Sequence, residues 1–189
     1  MRIGYSVEGS TDRALLEGLR RRWCPGADFV EGPFRGSTRE SLRREYRKIC
    51  AQVLAQRADV MVFLTDAGDE RWQDVQRTER SKFPQDCLGL AVHGVAERNV
   101  ECWLCSAPGW LAGQLRAEAP PFGCANPKGA FEAALGVSRD DMKEEEIAEL
   151  VRRAPLRDWL SNRSFRDFYD QLRDRSQQLG CAIENLLDG

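Results

Sequence analysis

Two groups of carboxylates carry the chemistry that the chain's residue types and spacing can support. Glu8 closes the first apolar run, in Val7-Glu8-Gly9-Ser10-Thr11-Asp12, and Asp66, Asp69 and Glu70 close a later one, in Phe63-Leu64-Thr65-Asp66-Ala67-Gly68-Asp69-Glu70. In an α/β protein the carboxyl ends of parallel strands share one rim, and ligands bind there. Carboxylates gathered at that rim repel one another, and a hard divalent cation with oxygen ligands neutralises them well. The expected site is therefore of the Mg²⁺ (or Mn²⁺) type, with a few carboxylates completed by water and a substrate phosphate. Such a metal polarises a phosphoryl oxygen and orients an attacking water. Plainer readings of the same residues stay open. Glu8 also suits a helix start, which favours negative charge, and Asp and Gly are ordinary turn residues.

The elements that must position these groups follow from apolar spacing. Arg2 to Glu8 reads as a strand. A helix capped by Ser10 or Thr11 carries Ala14, Leu15, Leu19 and Trp23 at helical intervals and ends at Pro25-Gly26. Asp28 to Phe34 reads as a second strand, and Ser37 or Thr38 caps a long helix to about Arg57. Ala58 to Leu64 is almost continuously apolar, as a strand buried on both faces is. A polar helix from about Arg71 to Lys82, a fourth strand from Leu88 to His93 and a helix from Asn99 to Ser106 follow. Alternating strands and helices predict a mostly parallel, Rossmann-like sheet covered by helices, over residues 1–107. Residues 108–189 read as a helical C-terminal extension packed on that domain. Lys143-Glu144-Glu145-Glu146 reads as a helix start or a solvated helix face.

Composition bounds the rest. The 189 residues, 42% hydrophobic and 31% charged, suit one soluble domain with an extension. No apolar run approaches the ~20 residues of a membrane span, and no secretory leader is apparent, so a cytoplasmic protein is expected. The net charge of −2 gives no bulk attraction to nucleic acid. Four of the 28 basic residues are Lys (Lys48, Lys82, Lys128 and Lys143) and the rest Arg, which suits bidentate phosphate contacts. Seven cysteines, an odd number, predict reduced core thiols. Cys102-Trp103-Leu104-Cys105 lies inside an apolar helical run, and neither a redox motif nor a zinc ribbon is expected from it.

On Val7-Glu8-Gly9-Ser10-Thr11-Asp12 and Leu64-Thr65-Asp66-Ala67-Gly68-Asp69 the first 107 residues resemble a TOPRIM domain. That domain occurs in topoisomerases, bacterial primases, recombination and RNA-maturation proteins, and OLD-type nucleases. Its hallmark is a Glu after the first strand and an Asp-x-Asp after a later one, which together hold Mg²⁺. The stretch from Ala96 to Leu104 resembles the E-x-W-L helix start of small stand-alone TOPRIM-like bacterial proteins, several of which accompany an ATPase in phage-defence operons. Ser164-Phe165-Arg166-Asp167-Phe168 is similar to the tail of those proteins. The resemblance implies Glu8 as metal ligand or general base, Asp66 and Asp69 as ligands, and Glu101 and Glu97 as further acidic members. The chain departs from the pattern at Gly68, which stands where the second Asp falls. Asp69 reaches the site through the flexible Gly, or Glu70 substitutes, or the site is degenerate.

Other candidates are His93, the only histidine, at the strand end; Lys128, as the lysine that stabilises the transition state in nuclease relatives; and Arg35 and Arg39, as phosphate contacts at a helix start. The resulting expectation is a Mg²⁺-dependent TOPRIM/OLD-like nuclease acting on DNA or RNA, an effector in an ATPase-containing anti-phage complex. No G-x-x-x-x-G-K-[ST] loop is present, so ATP dependence would come from a partner chain. The alternatives are a catalytically silent TOPRIM module that binds nucleic acid or an ATPase, and another acidic-site phosphohydrolase, such as a phosphatase with Asp66 as nucleophile. A homo-oligomer is compatible with each.

Overall fold

The computed structural model describes residues 1–32, 38–115, 125–135, 143–178, 181 and 183–187. Four strands form one parallel sheet: β1 (Arg2–Val7), β2 (Asp28–Glu31), β3 (Val60–Asp66) and β4 (Ala91–Ala96), in the order β2-β1-β3-β4. Ile3 pairs with Phe29 on one side and with Val60 on the other, and Met61 pairs with Ala91. The chain leaves β1 in one direction to form β2, then returns past β1 to form β3. The gap between the carboxyl ends of β1 and β3 is thus the point where the winding reverses.

Helices cover both faces. On one side lie α1 (Ser10–Trp23), α8 (Glu144–Arg153) and α10 (Arg163–Gln178); on the other lie α2 (Arg39–Ala55), α3 (Trp72–Arg80) and the short α4 (Gln85–Leu88). The other helices among the described residues are α5 (Glu101–Leu104), α6 (Pro108–Leu115), α7 (Pro127–Leu135) and α9 (Leu156–Trp159). Every residue of β3 from Val60 to Thr65 is buried, which explains its unbroken apolar run. Leu42, Tyr46, Ile49 and Val53 recur at helical spacing in α2 and pack under Met61 and Phe63. One buried cluster joins Val62 and Leu64 of the sheet to Trp159, Phe165 and Phe168 from beyond residue 107. The acidic run is the first turn of α8, and Arg152 and Arg153 occupy its last turn, so both ends complement the helix dipole.

β2 ends at Glu31 rather than Phe34, and α5 is confined to Glu101–Leu104; two further differences bear on the site. β3 runs to Asp66, which makes that carboxylate part of the strand end. β4 is Ala91–Ala96, not Leu88–His93, because Leu88 belongs to α4 and the small residues Gly94 and Ala96 continue the strand. A Cβ on Gly94 would lie 2.7 Å from the Phe168 ring, so α10 packs where β4 has no side chain. His93 is therefore a mid-strand residue. As an edge strand, β4 leaves backbone groups that need partners. The His93 N–H donates to Gln171 Oε1 at 3.0 Å, and its carbonyl accepts from Gln76 Nε2 at 3.2 Å and Gln171 Nε2 at 3.1 Å.

The cysteines also depart from expectation. Cys24 is joined to Cys181 and Cys50 to Cys87, with Cα–Cα separations of 5.7 and 6.1 Å. The sequence could not reveal this, since the partners are 157 and 37 residues apart and meet only when the helices pack. The pairing removes the thiol-based argument for a reducing compartment. Cys105 is a free, buried thiol, so Cys102 and Cys105 are not bonded to each other. No helix among the described residues is long and apolar enough to cross a membrane.

Candidate active site

The ends of β1 and β3 bring Glu8 and Asp66 together. Glu8 Oε1 accepts the backbone N–H of Asp66 at 3.3 Å, and Asp66 Oδ1 accepts the backbone N–H of Val100 at 3.1 Å. Asp12, in the first turn of α1, is buried, and its Oδ2 accepts the Gly9 N–H at 2.8 Å. Glu101, the first residue of α5, is fully buried nearby. Four carboxylates thus converge at the point where the sheet's winding reverses, the usual ligand crevice of such sheets.

Their electrostatics show how close they are. Burial, followed by the charges of Asp12, Glu8 and Glu101, pushes Asp66 up to about 9, while the distant Lys128 charge opposes. Burial, followed by Glu8 and Glu101, pushes Asp12 up to about 7 against the Gly9 N–H. Glu8 is also raised, chiefly by burial, with the Asp66 N–H and the Arg39 charge pulling the other way. Held this way, the group retains protons at neutral pH unless a cation replaces them.

Asp69 and Glu70 are not brought into this cluster. Gly68 takes a positive φ of 62°, and its N–H bonds to the Arg98 carbonyl at 2.8 Å. Past that turn the Asp69 side chain is 93% exposed and paired with Arg98, and that of Glu70 is 62% exposed and paired with Arg39. Arg39, which begins α2, also donates to the Asp66 carbonyl at 3.3 Å and so sits on the rim. Lys128, exposed at the start of α7, reaches Asp66 only as a charge. Arg35 lies outside the described residues. Glu97 is exposed. His93 is fully buried against Phe83, with Nε2 3.1 Å from Thr65 Oγ1, and burial lowers its pKa to about 3.

Asp12 was not expected in the site; in the structure it holds the Gly9 N–H and lies among the other carboxylates. Its offset of four residues from Glu8, into a helix that starts at the strand end, was the available signal. Nothing in the spacing of Ser164-Phe165-Arg166-Asp167-Phe168 indicated that this segment supports the site. Ser164 Oγ accepts from the Trp103 indole N–H at 2.7 Å and from the Glu97 N–H at 3.1 Å. The Trp103 ring stacks on Phe168 at 5.3 Å and meets Phe165 edge-on at 5.5 Å. The start of α10 thereby braces the β4–α5 turn whose Val100 N–H holds Asp66.

The donor set is all oxygen and mutually repulsive, which fits a hard divalent cation. Mg²⁺ takes one or two carboxylates together with water and substrate phosphate, and Glu8 and Asp66 match that pattern. Among the described residues, no three His, Cys, Asp or Glu side chains are grouped as a ready-made metal cage. No family model matches the chain, and neither a curated protein nor a solved structure does.

Proposed function

We propose that the chain is a metal-dependent phosphodiester hydrolase of the TOPRIM type, acting on nucleic acid with Mg²⁺ or Mn²⁺. The observation that carries this reading is the convergence of Glu8, Asp12, Asp66 and Glu101 at the reversal point between β1 and β3. Glu8 and Asp66 are the residues that would hold the metal. When bound, it neutralises the carboxylates and polarises a phosphoryl oxygen. Where Asp66 holds the metal without it, Glu8 stands at the same rim to accept the proton of the attacking water. Arg39, held by the Asp66 carbonyl and Glu70, brings a positive charge to the same rim, which favours an approaching phosphate. The α10 contacts to Trp103 and Glu97 keep the Asp66 turn rigid. An ATPase partner belongs to the proposal as the source of any nucleotide dependence.

The exposure and ion pairing of Asp69 and Glu70 favour a second reading, a silent module that binds nucleic acid without cutting it. The test is cleavage of plasmid DNA and structured RNA with Mg²⁺ or Mn²⁺, comparing wild type with Glu8→Gln and Asp66→Asn. Metal-dependent cutting lost in both variants supports the hydrolase. Loss in Asp66→Asn alone points to a phosphatase-like nucleophile. Binding with no cutting, alone or with an ATPase partner, supports the silent module.

A further inference from the structure

An open groove of about 770 Å³ lies beside the carboxylates, lined by the β3–α3 turn, the β4–α5 turn and the start of α10. It is joined to the acidic site through one backbone unit. The Arg98 carbonyl, on the groove, accepts the Gly68 N–H at 2.8 Å, while the Val100 N–H two residues on reaches Asp66.

The lining chemistry selects the ligand. Trp72 is half-buried, packed on Ala67, Val75 and Val95, so its indole is fixed at the groove. Arg163 is exposed and has no ion-pair partner among the described residues. The Arg71 side chain is 79% exposed, with only Asp74 at 3.9 Å. Of the acids on the lining, Asp69 is occupied by Arg98 and Glu70 by Arg39, which leaves Glu97 as the exposed exception. A fixed aromatic ring flanked by available guanidinium groups is how proteins hold unpaired bases and the phosphates beside them. A duplex keeps its base faces stacked internally and cannot use the ring.

We propose that this groove binds single-stranded nucleic acid, with a base stacked on Trp72 and neighbouring phosphates on Arg163 and Arg71. Delivery of that strand to the carboxylates for cutting rests on the hydrolase reading; the binding does not.

The experiment is fluorescence anisotropy of the full chain in EDTA with labelled oligo(dT), oligo(U) and a duplex of equal length, across a salt series. One or both single strands bind tighter than the duplex. Trp72→Ala weakens that binding about 5- to 150-fold, and Trp72→Phe restores most of it. Arg163→Gln, an exposed change that leaves the fold intact, lowers the slope of log affinity against log salt by about 0.7. The groove assignment is overturned if duplex binds as well as single strand, or if Trp72→Ala and Arg163→Gln both bind like wild type. Should Trp72→Ala fail to fold, the Arg163→Gln slope and the strand preference decide alone. Single-strand binding without any metal-dependent cutting upholds the groove and removes the hydrolase. Glu8-dependent cutting of a single strand that Trp72→Ala and Arg163→Gln leave unchanged does the reverse.

Discussion

Replacing Asp66 by Asn removes the most strongly perturbed carboxylate while keeping an oxygen for the Val100 N–H. In the folded, metal-free chain Asp66 is raised from its ordinary value of 3.8 to about 9. The folded state therefore keeps a proton that the unfolded chain has released above about pH 4. Stability from this group is fully present below the unfolded pKa and is lost as pH rises toward 9. Each proton held in excess by the folded state gives a slope of about −1.4 kcal/mol per pH unit. From pH 5 to pH 7, one proton held in excess by the coupled carboxylates around Asp66 costs the wild type about 3 kcal/mol. For a chain of this size that is about 6–12 °C in Tm. Asp12, also raised by burial, shares in that proton uptake. The assay is urea unfolding in EDTA at several pH values, with wild type and Asp66→Asn side by side. The stability of the wild type relative to Asp66→Asn falls steadily as pH rises. Adding Mg²⁺ near neutral pH recovers much of the wild-type loss by displacing protons from the carboxylates, and recovers little in the variant. Parallel pH curves for the two proteins would refute the account of a repulsive, proton-holding carboxylate cluster.

Three further outcomes are expected. Asp69→Asn and Glu70→Gln keep cleavage rates within about tenfold of wild type, an allowance of roughly 1.4 kcal/mol, since both side chains lie outside the carboxylate group; a loss as deep as that of Glu8→Gln in initial-rate assays would return them to the site. Gly18→Ala destabilises the fold by about 1–3 kcal/mol, because its Cβ would lie 2.5 Å from the Ala148 carbonyl where α1 and α8 touch; an unchanged urea midpoint would contradict that packing. Non-reducing peptide mapping finds Cys24 linked to Cys181 and Cys50 to Cys87. Reducing a bridge costs about 2–5 kcal/mol, and alkylation of all seven cysteines without reductant would disprove the pairing.

Much of the scaffold was legible in the linear chain because the signals are local. Apolar residues at strand or helix intervals mark β1, α1, α2 and β3, and Glu8 and Asp66 stand where two apolar runs stop. A strand end is set by where burial stops, so carboxylates there announce a rim. The sequence also shows no apolar run of membrane-spanning length and no G-x-x-x-x-G-K-[ST] motif. It misplaced β4 because the apolar Leu88 and Leu90 extend the run into the α4 turn that Gly89 closes, while the strand continues through Gly94 to Ala96. Strand order belongs to the tertiary structure. Only the β2-β1-β3-β4 arrangement makes Glu8 and Asp66 neighbours at the reversal point. Whether Asp69 joined them depended on the backbone at Gly68, whose positive φ sends the following residues to solvent, where arginines from distant segments meet them. Asp12 joined the cluster, Ser164 came to brace Trp103, and Cys24 met Cys181 for the same reason. Periodicity tells which face of an element is buried, but not what it is buried against. The partners are settled by long-range packing, where one helix crosses a sheet at a single register.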